Sequence, residues 1–345
     1  MPEITEPYLR EQLERRRDEL KHALATPASE FAPAAFFQLL HEVDSALERM
    51  EQGTYGICEV CHDTIEKDRL IADPLVRLCL DHLSTEEQRA LEGDLELASR
   101  IQRGLLPQND AKFGEWRIHY QYRPAGLVSG DYCDLIVPSS EKGKLIFLLG
   151  DVAGKGVAAS LLMTHLHAMF RSLSAVEVEL DKLLDMGNRI FCESTIAGQY
   201  ATLVCGRAGQ SGELEIASAG HLPALLVNGN GVEQHSSTGL PLGMFCNARY
   251  QVTRLRLDPG DSLLLYTDGI SESRNAMGTE YGVERLSMIA GEQHDSAPHE
   301  LLRQCLKDLR DFSSGARQAD DQTMMVIHRA HSGGTRGIGP VVCDL

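Results

Sequence analysis

Apolar positions in the first fifty residues repeat with a helical period. Leu9, Leu13, Leu20 and Leu24 fall on one face, and Phe36, Leu40, Val43, Leu47 and Met50 on a second. The breakers Thr26, Pro27, Ala28, Ser29, Glu30 and Pro33 separate them, so the pattern predicts an antiparallel helical hairpin. A third amphipathic stretch starts from a candidate N-cap, Ser84, with Glu87 three residues later, and carries Leu91, Leu95, Ala98, Ile101 and Leu105 until Pro107 stops it. Its near-heptad spacing suits a linker helix that pairs with another helix. From about Trp116 the pattern changes to short β-type runs punctuated by Gly, Pro and Asp. They are Trp116–Tyr122, Leu145–Leu149, Tyr200–Cys205, Leu214–Ala217, Ala224–Val227, Val252–Leu257, Ser262–Tyr266 and Thr323–Ile327. Helical spacing returns at Val157–Leu173, Val178–Ile196 and His299–Phe312, so the second half is α+β. The glycine-rich tail from Ala330 has no periodicity and is expected to be a flexible end.

Charge and composition narrow the function classes. With 33 basic and 50 acidic side chains among 345 residues, the formal net charge is −17, which argues against a general nucleic-acid binder. The longest apolar runs have strand length, far short of the roughly 20 residues a membrane helix needs. Met1–Glu6 lacks the basic and apolar regions of a signal peptide, so a reducing cytoplasm is the expected compartment. The nine cysteines are then expected to be thiols or metal ligands, not a disulfide frame.

Four of the metal-binding side chains lie within 25 residues. Cys58-x2-Cys61 is followed by Cys79-x2-His82, two pairs that each let two ligands reach one ion from a tight turn. Such a closed tetrahedral set points to one structural Zn²⁺, with His62 and Asp81 as neighbours that could substitute. Gly53-Thr54-Tyr55-Gly56-Ile57-Cys58-Glu59-Val60-Cys61, then Ile65, Arg69-Leu70, Ala72-Asp73-Pro74 and Cys79, resembles the DksA/TraR-type zinc finger. The resemblance includes the preceding helix with its Ala46-Leu47-Glu48-Arg49 run. Two departures stand out: the last family ligand is usually cysteine and here is His82, and the tip around Thr26–Pro33 lacks the paired aspartates with which those proteins act inside RNA polymerase. The resemblance therefore carries zinc binding but not polymerase regulation, and Met50–His82 has no Lys/Arg cluster to neutralise phosphates.

Aspartates recur in loops at predicted strand ends: Gly130-Asp131-Tyr132-Cys133-Asp134, Gly150-Asp151-Val152-Ala153-Gly154-Lys155-Gly156, Thr267-Asp268-Gly269 and Asp320-Asp321-Gln322-Thr323. Several carboxylates converging on one place repel unless cations lie between them, and hard divalent ions take oxygen ligands. Taken in order, these motifs, with Ala219-Gly220-His221-x-Pro223, Gly239-Leu240-Pro241-Leu242-Gly243 and Glu272 after Thr-Asp-Gly, resemble PPM-type metal-dependent serine/threonine phosphatases of the SpoIIE and RsbU branch. The resemblance runs from about Leu95 to His328. It implies an α-β-β-α sandwich with two Mn²⁺ or Mg²⁺ ions at one end of the sheets. Asp151 would bridge both ions, Asp131 would hold one together with the Val152 carbonyl, and Asp268 and Asp320 would hold the other. Asp321 and Asp134 would either support these ligands or hold a loosely bound further ion. His221 is expected to serve by hydrogen bonding more than as a general acid, Lys155 is either a phosphate contact or simply exposed, and no arginine is assigned to grip phosphate.

The chain is thus expected to divide into a regulatory hairpin and zinc finger (1–83), a linker helix with a dimerising role (84–107), a PPM-type phosphatase domain (108–330) and a tail (331–345). Resemblance implies a phosphorylated protein substrate, of the STAS-type anti-sigma-factor antagonist class, in bacterial partner switching. Partners expected are that phosphoprotein and a second copy of the chain, with neither membrane nor nucleic acid. The rival expectation is a non-catalytic transcription regulator that binds RNA polymerase or a phosphoprotein through the zinc finger module.

Overall fold

The computed structural model describes residues 6–25, 34–82, 85–137, 143–175, 179–196, 198–237, 239–316 and 318–331. The predicted hairpin tip at 26–33, the cap Ser84 and the tail beyond 331 lie outside the described residues. The chain forms two compact units, Met1–Asp94 and Leu95–Leu345.

In the first unit α1 (Glu6–Ala25) and α2 (Ala34–Glu51) meet through the stripes their periodicity predicts. Leu9, Leu13 and Leu20 pack on Val43, Ala46, Leu47 and Met50. Cys58, Ile65, Leu70 and Cys79 join the same core, so the short α3 (Lys67–Ala72) and the turn Leu80–His82 rest on the hairpin. α4 (Thr85–Leu105) runs as the single predicted helix.

The second unit is a four-layer sandwich. Its strands are β1 (Asp110–Phe113), β2 (Trp116–Arg123), β3 (Asp131–Ile136), β4 (Leu145–Val152), β5 (Ala201–Ala208), β6 (Glu213–Ala219), β7 (Ala224–Asn228), β8 (Gly231–His235), β9 (Thr253–Arg256), β10 (Ser262–Tyr266) and β11 (Gln322–Arg329). They make two antiparallel sheets, ordered β1-β2-β11-β10-β7-β8 and β3-β4-β5-β6-β9. Alternate residues such as Trp116, Ile118, Phe147, Leu149, Leu263 and Met325 fill the space between the sheets. α5 (Gly156–Ser174) and α6 (Leu180–Ser194) cover the five-stranded sheet with Met163, Leu166, Phe170, Leu184 and Phe191. α8 (Val283–Gly291) and α9 (Pro298–Ser313) cover the six-stranded sheet with Leu286, Leu301 and Leu302, and the one-turn α7 (Asp268–Ser271) follows β10. This is the expected α-β-β-α architecture.

Two findings depart from the sequence reading. Asp131 opens a strand, β3, that the hydrophobic pattern does not reveal, because Asp131 and Asp134 sit among its buried positions. Asp134, fully buried, answers the Arg171 guanidinium from α5 (Oδ1–Nη2 2.6 Å, Oδ2–Nε 2.8 Å). Three residues along a strand reverse the side-chain direction, so Asp134 faces α5 while Asp131 faces the other sheet. We expect Arg171→Met to destabilise the unit by about 3 kcal/mol by stranding a buried carboxylate, and Asp134→Asn to cost less, since the half-exposed Arg171 can rehydrate. Urea denaturation of both variants would decide the order.

The other departure concerns cysteine. Cys192 in α6 and Cys246 form a disulfide, with Cα atoms 5.6 Å apart, against the expectation of thiols and metal ligands alone. Their sequence separation of 54 hides the pairing from sequence, since only the packing of α6 on the segment before β9 brings them together.

Candidate metal centre

The two sheets bring the predicted aspartates to one end of the sandwich. In the β3–β4 ladder Asp131 lies directly opposite Asp151, and Asp151 in turn lies opposite Thr202 of β5. Like charges directly opposite destabilise a sheet, so this pair needs compensation. The other sheet supplies Asp268 just after β10 and Asp320 just before β11. The two loops lock together: Thr267 N–H donates to the Thr323 carbonyl and Thr323 N–H to Thr267 Oγ1, both at 3.0 Å. Gly269 is obligatory there, because a Cβ would collide with the Asp321 carbonyl.

Asp131 is 1% exposed, and its Oδ2 accepts from the hydroxyls of Thr267 and Thr323. Burial, then the Asp151 charge, holds its carboxyl well above the usual range despite these bonds. Burial also pushes Asp151 up to about 7, with Asp268, Asp320 and Asp321 adding to the shift and Lys155 opposing it. Asp268 is raised by burial and by Asp320. Lys155 spans the rim, its Nζ bonded to Asp320 Oδ2 at 2.7 Å and to the Ala319 carbonyl at 2.9 Å. One ammonium offsets only part of this charge.

The residues present fit divalent cations. Gly130 leaves open the space that a Cβ would take 3.2 Å from the Val152 carbonyl and 3.5 Å from Asp151 Oδ1, the two oxygens expected to share an ion. The donor set is all oxygen, which suits Mg²⁺ or Mn²⁺. Among the described residues, no three of these carboxylates come within 4.8 Å of one another as the cysteine cluster does, and the aspartates form a looser acidic basin coupled through their charges.

Several side chains support the basin without joining it. Asp321 accepts from the Ala125 amide at 2.7 Å and the Gly130 amide at 2.9 Å, which spends both oxygens on positioning the loop before Asp131. The Arg171 guanidinium likewise engages both oxygens of Asp134. His221 is buried and its pKa falls to about 4, so the ring is neutral: Nε2–H donates to the Tyr266 carbonyl at 3.1 Å and Nδ1 accepts from Thr202 at 2.9 Å. It ties one sheet to the other. His165 and His167 go separate ways, to Ser194 Oγ and to the Asp134 carboxylate. Sequence reasoning missed Gln102, whose buried amide grips both backbone groups of Ser129 (2.7 and 3.0 Å), while Ser129 Oγ accepts from the Asp131 N–H at 3.1 Å. Only its place on the buried stripe of α4 distinguishes Gln102 in the sequence.

The second cluster is tighter. One ligand atom from each of Cys58, Cys61, Cys79 and His82 lies within 4.8 Å of the others, with Cys79 Sγ 3.2 Å from His82 Nδ1. Burial raises the Cys58 thiol, but the N–H groups of Cys61, Cys79 and Val60 outweigh it and bring it to about 6. Burial and the two neighbouring sulfurs push Cys79 up, to about 11. Three sulfurs and one ring nitrogen thus stand at the mutual spacing that a soft cation takes.

Comparison with known proteins follows this geometry. The family stage II sporulation protein E (SpoIIE) matches residues 141–330, more than half the chain, and the prokaryotic dksA/traR C4-type zinc finger matches residues 53–81. The chain is 29% identical over 265 residues to protein IcfG of Synechocystis, covering 68% of this chain and 41% of IcfG. It is 27% identical over 255 residues to phosphoserine phosphatase RsbU of Bacillus subtilis, covering 70% of this chain and 72% of RsbU. Among solved structures the SiaA-PP2C domain of Pseudomonas aeruginosa matches with a TM-score of 0.63 at 20% identity, covering 72% of this chain and 99% of that domain, a likeness of fold. No helix among the described residues is long and apolar enough to cross a membrane.

Proposed function

The chain belongs to the SpoIIE family, and from that premise we propose that it is a metal-dependent protein-serine/threonine phosphatase. The observation that carries the proposal is the convergence of Asp131, Asp151, Asp268 and Asp320 from both sheets on one basin, with Asp131 opposite Asp151. Two Mn²⁺ or Mg²⁺ ions bound there would supply an activated water and neutralise phosphate oxygens during in-line attack on phosphorus. Asp151 stands between the two halves of the ligand set. Asp131 and the Val152 carbonyl serve one side, Asp268 and Asp320 the other. Thr267 and Thr323 aim Asp131, and Asp321 fixes the loop before it. Lys155, released from Asp320, has the reach and charge to meet a substrate phosphate at the rim.

The substrate class is a phosphoserine protein, of the STAS-type anti-sigma-factor antagonist kind; the likeness to RsbU supports it. The sulfur cluster takes one structural Zn²⁺. The parts act as a regulatory hairpin and finger at 1–83, a helix at 84–107 and a catalyst at 108–330. Leu91, Leu97 and Ile101 of α4 are exposed, which supports pairing of this helix with a second copy. Its end grips Ser129 through Gln102, so a change in the helix has a short route to Asp131. Manganese-dependent release of phosphate from a phosphoserine peptide tests the activity, and its absence on every phosphoprotein tried would end the proposal. Deleting 1–83 tests the regulation: we expect a change in turnover or in oligomeric mass, and unchanged values of both remove the regulatory role.

A further inference from the structure

Three residues on one face of α6 hold the segment 243–250. Asp185 Oδ1 accepts from the Tyr250 N–H at 3.2 Å, and its Oδ2 meets the Arg249 guanidinium. Asn188 Nδ2 donates to the Phe245 carbonyl at 2.8 Å, and its Oδ1 accepts from the Gly243 N–H at 2.9 Å. Cys192, one turn further, bonds Cys246. Positions 185, 188 and 192 recur at helical spacing, so the covalent link is the last rung of a ladder that is otherwise made of hydrogen bonds.

That ladder ends beside the aspartate basin. Leu242, immediately before the clamped segment, exchanges both backbone hydrogen bonds with Ala201, at 2.8 and 3.0 Å. Ala201 is the ladder partner of Val152, and the Ala153 N–H donates to the Tyr200 carbonyl at 2.9 Å. Cys246 is therefore four residues along the chain and two backbone pairings, Leu242–Ala201 and Ala201–Val152, away from the Val152 backbone. Cys246 is exposed and Cys192 half-buried, whereas Cys133, Cys205 and Cys305 are buried thiols.

We propose that Cys192 and Cys246 are a reversible dithiol–disulfide site for a low-molecular-weight disulfide of the glutathione type, and that its oxidation clamps residues 243–250 to α6. The exposed Cys246 thiolate attacks one sulfur of the small disulfide, forming a mixed disulfide and releasing one small thiol. The Cys192 thiolate then displaces the second. Two protein thiols are oxidised, the small disulfide is reduced to two thiols, and the two protons leave with those thiols.

The test uses the full-length zinc-loaded protein in buffers of increasing oxidised-to-reduced glutathione ratio, with free thiols capped by a maleimide and located by peptide mass. Cys192 and Cys246 should lose reactivity together and appear as one bridged peptide, reversed by dithiothreitol. Cys192→Ser should trap glutathione on Cys246, while Cys246→Ser should leave Cys192 without it. Deuterium exchange of residues 241–250 should be at least about fivefold slower in the bridged form. Continued maleimide labelling of both cysteines in fully oxidised buffer, or glutathione on each without a bridge, overturns the site. Equal exchange in the two states overturns the clamp. Neither readout depends on phosphatase turnover, so the outcome stands apart from that of the proposed activity.

Discussion

Asp151→Asn is expected to lower manganese-dependent phosphate release by at least about a thousandfold, a loss of roughly 4 kcal/mol of transition-state stabilisation. Asp151 faces Asp131 across one ladder and Thr202 across the next, and Asp268 and Asp320 reach it from the opposite sheet, so no neighbour can take its central place. An asparagine keeps the shape and removes the charge. The same substitution has an opposite effect on the metal-free fold. Asp151 is a carboxylate whose folded pKa, about 7, lies above its ordinary value of 3.8, so between those two pH values the folded chain binds more protons than the unfolded chain. Stability contributed by the protonated form is therefore lost as pH rises through 7, and the ionised group weighs against folding above it. Asparagine carries no such cost. In manganese- and magnesium-free buffer at pH 8 the variant should melt at or above the wild-type temperature. An inactive protein with a lower melting point would point to misfolding and deprive the activity loss of its meaning.

Physical rules explain which parts of this site could be read in the sequence. Continuous apolar runs mark β4 and β10, which are buried on both faces, and the 3.6-residue period marks α5 and α9, each with one side that must leave water. β3 escaped because its buried positions are polar: Asp131 is satisfied by two threonines and Asp134 by Arg171, partners 136, 192 and 37 residues away. The candidate ligand aspartates are legible because each sits beside a glycine or threonine, as in Gly130-Asp131, Gly150-Asp151, Thr267-Asp268-Gly269 and Asp320-Asp321-Gln322-Thr323, that marks a strand end. Gln102, Asp321 and His221 have duties that are not local, since each bonds a backbone group in another element, and only the folded chain brings those groups within reach. The Cys192–Cys246 pairing belongs with them, whereas Cys58-x2-Cys61 and Cys79-x2-His82 announce themselves because a tight turn alone sets two ligands side by side.

Loss of zinc should unfold residues 53–82 while the sandwich stays intact. The segment has too few residues to hold a core without a staple, and two of its buried anchors, Cys58 and Cys79, belong to the candidate ligand set. What remains is Ile65 and Leu70 with the partly buried Tyr55, Leu75, Val76 and Leu78, and turns at Gly53 and Gly56 that both require positive φ (67° and 76°). A closed four-ligand zinc site supplies about 10 kcal/mol of apparent binding energy, more than such a remnant can replace. Cys79→Ser removes the sulfur that lies 3.7 Å from Cys61 Sγ and 3.2 Å from His82 Nδ1, and should abolish bound zinc in elemental analysis. It should also open Tyr55, whose hydroxyl donates to the Pro74 carbonyl at 3.0 Å, to solvent. His82→Cys supplies a fourth sulfur and should retain zinc, while His82→Ala leaves three ligands and should weaken zinc binding. Because the sulfur cluster and the aspartates lie in different units, a zinc chelator should melt the 53–82 segment and leave the high-temperature transition of the sandwich in place. A single transition that disappears as a whole on zinc removal would show that the finger underwrites the entire fold, and zinc retained by Cys79→Ser would remove Cys79 from the ligand set.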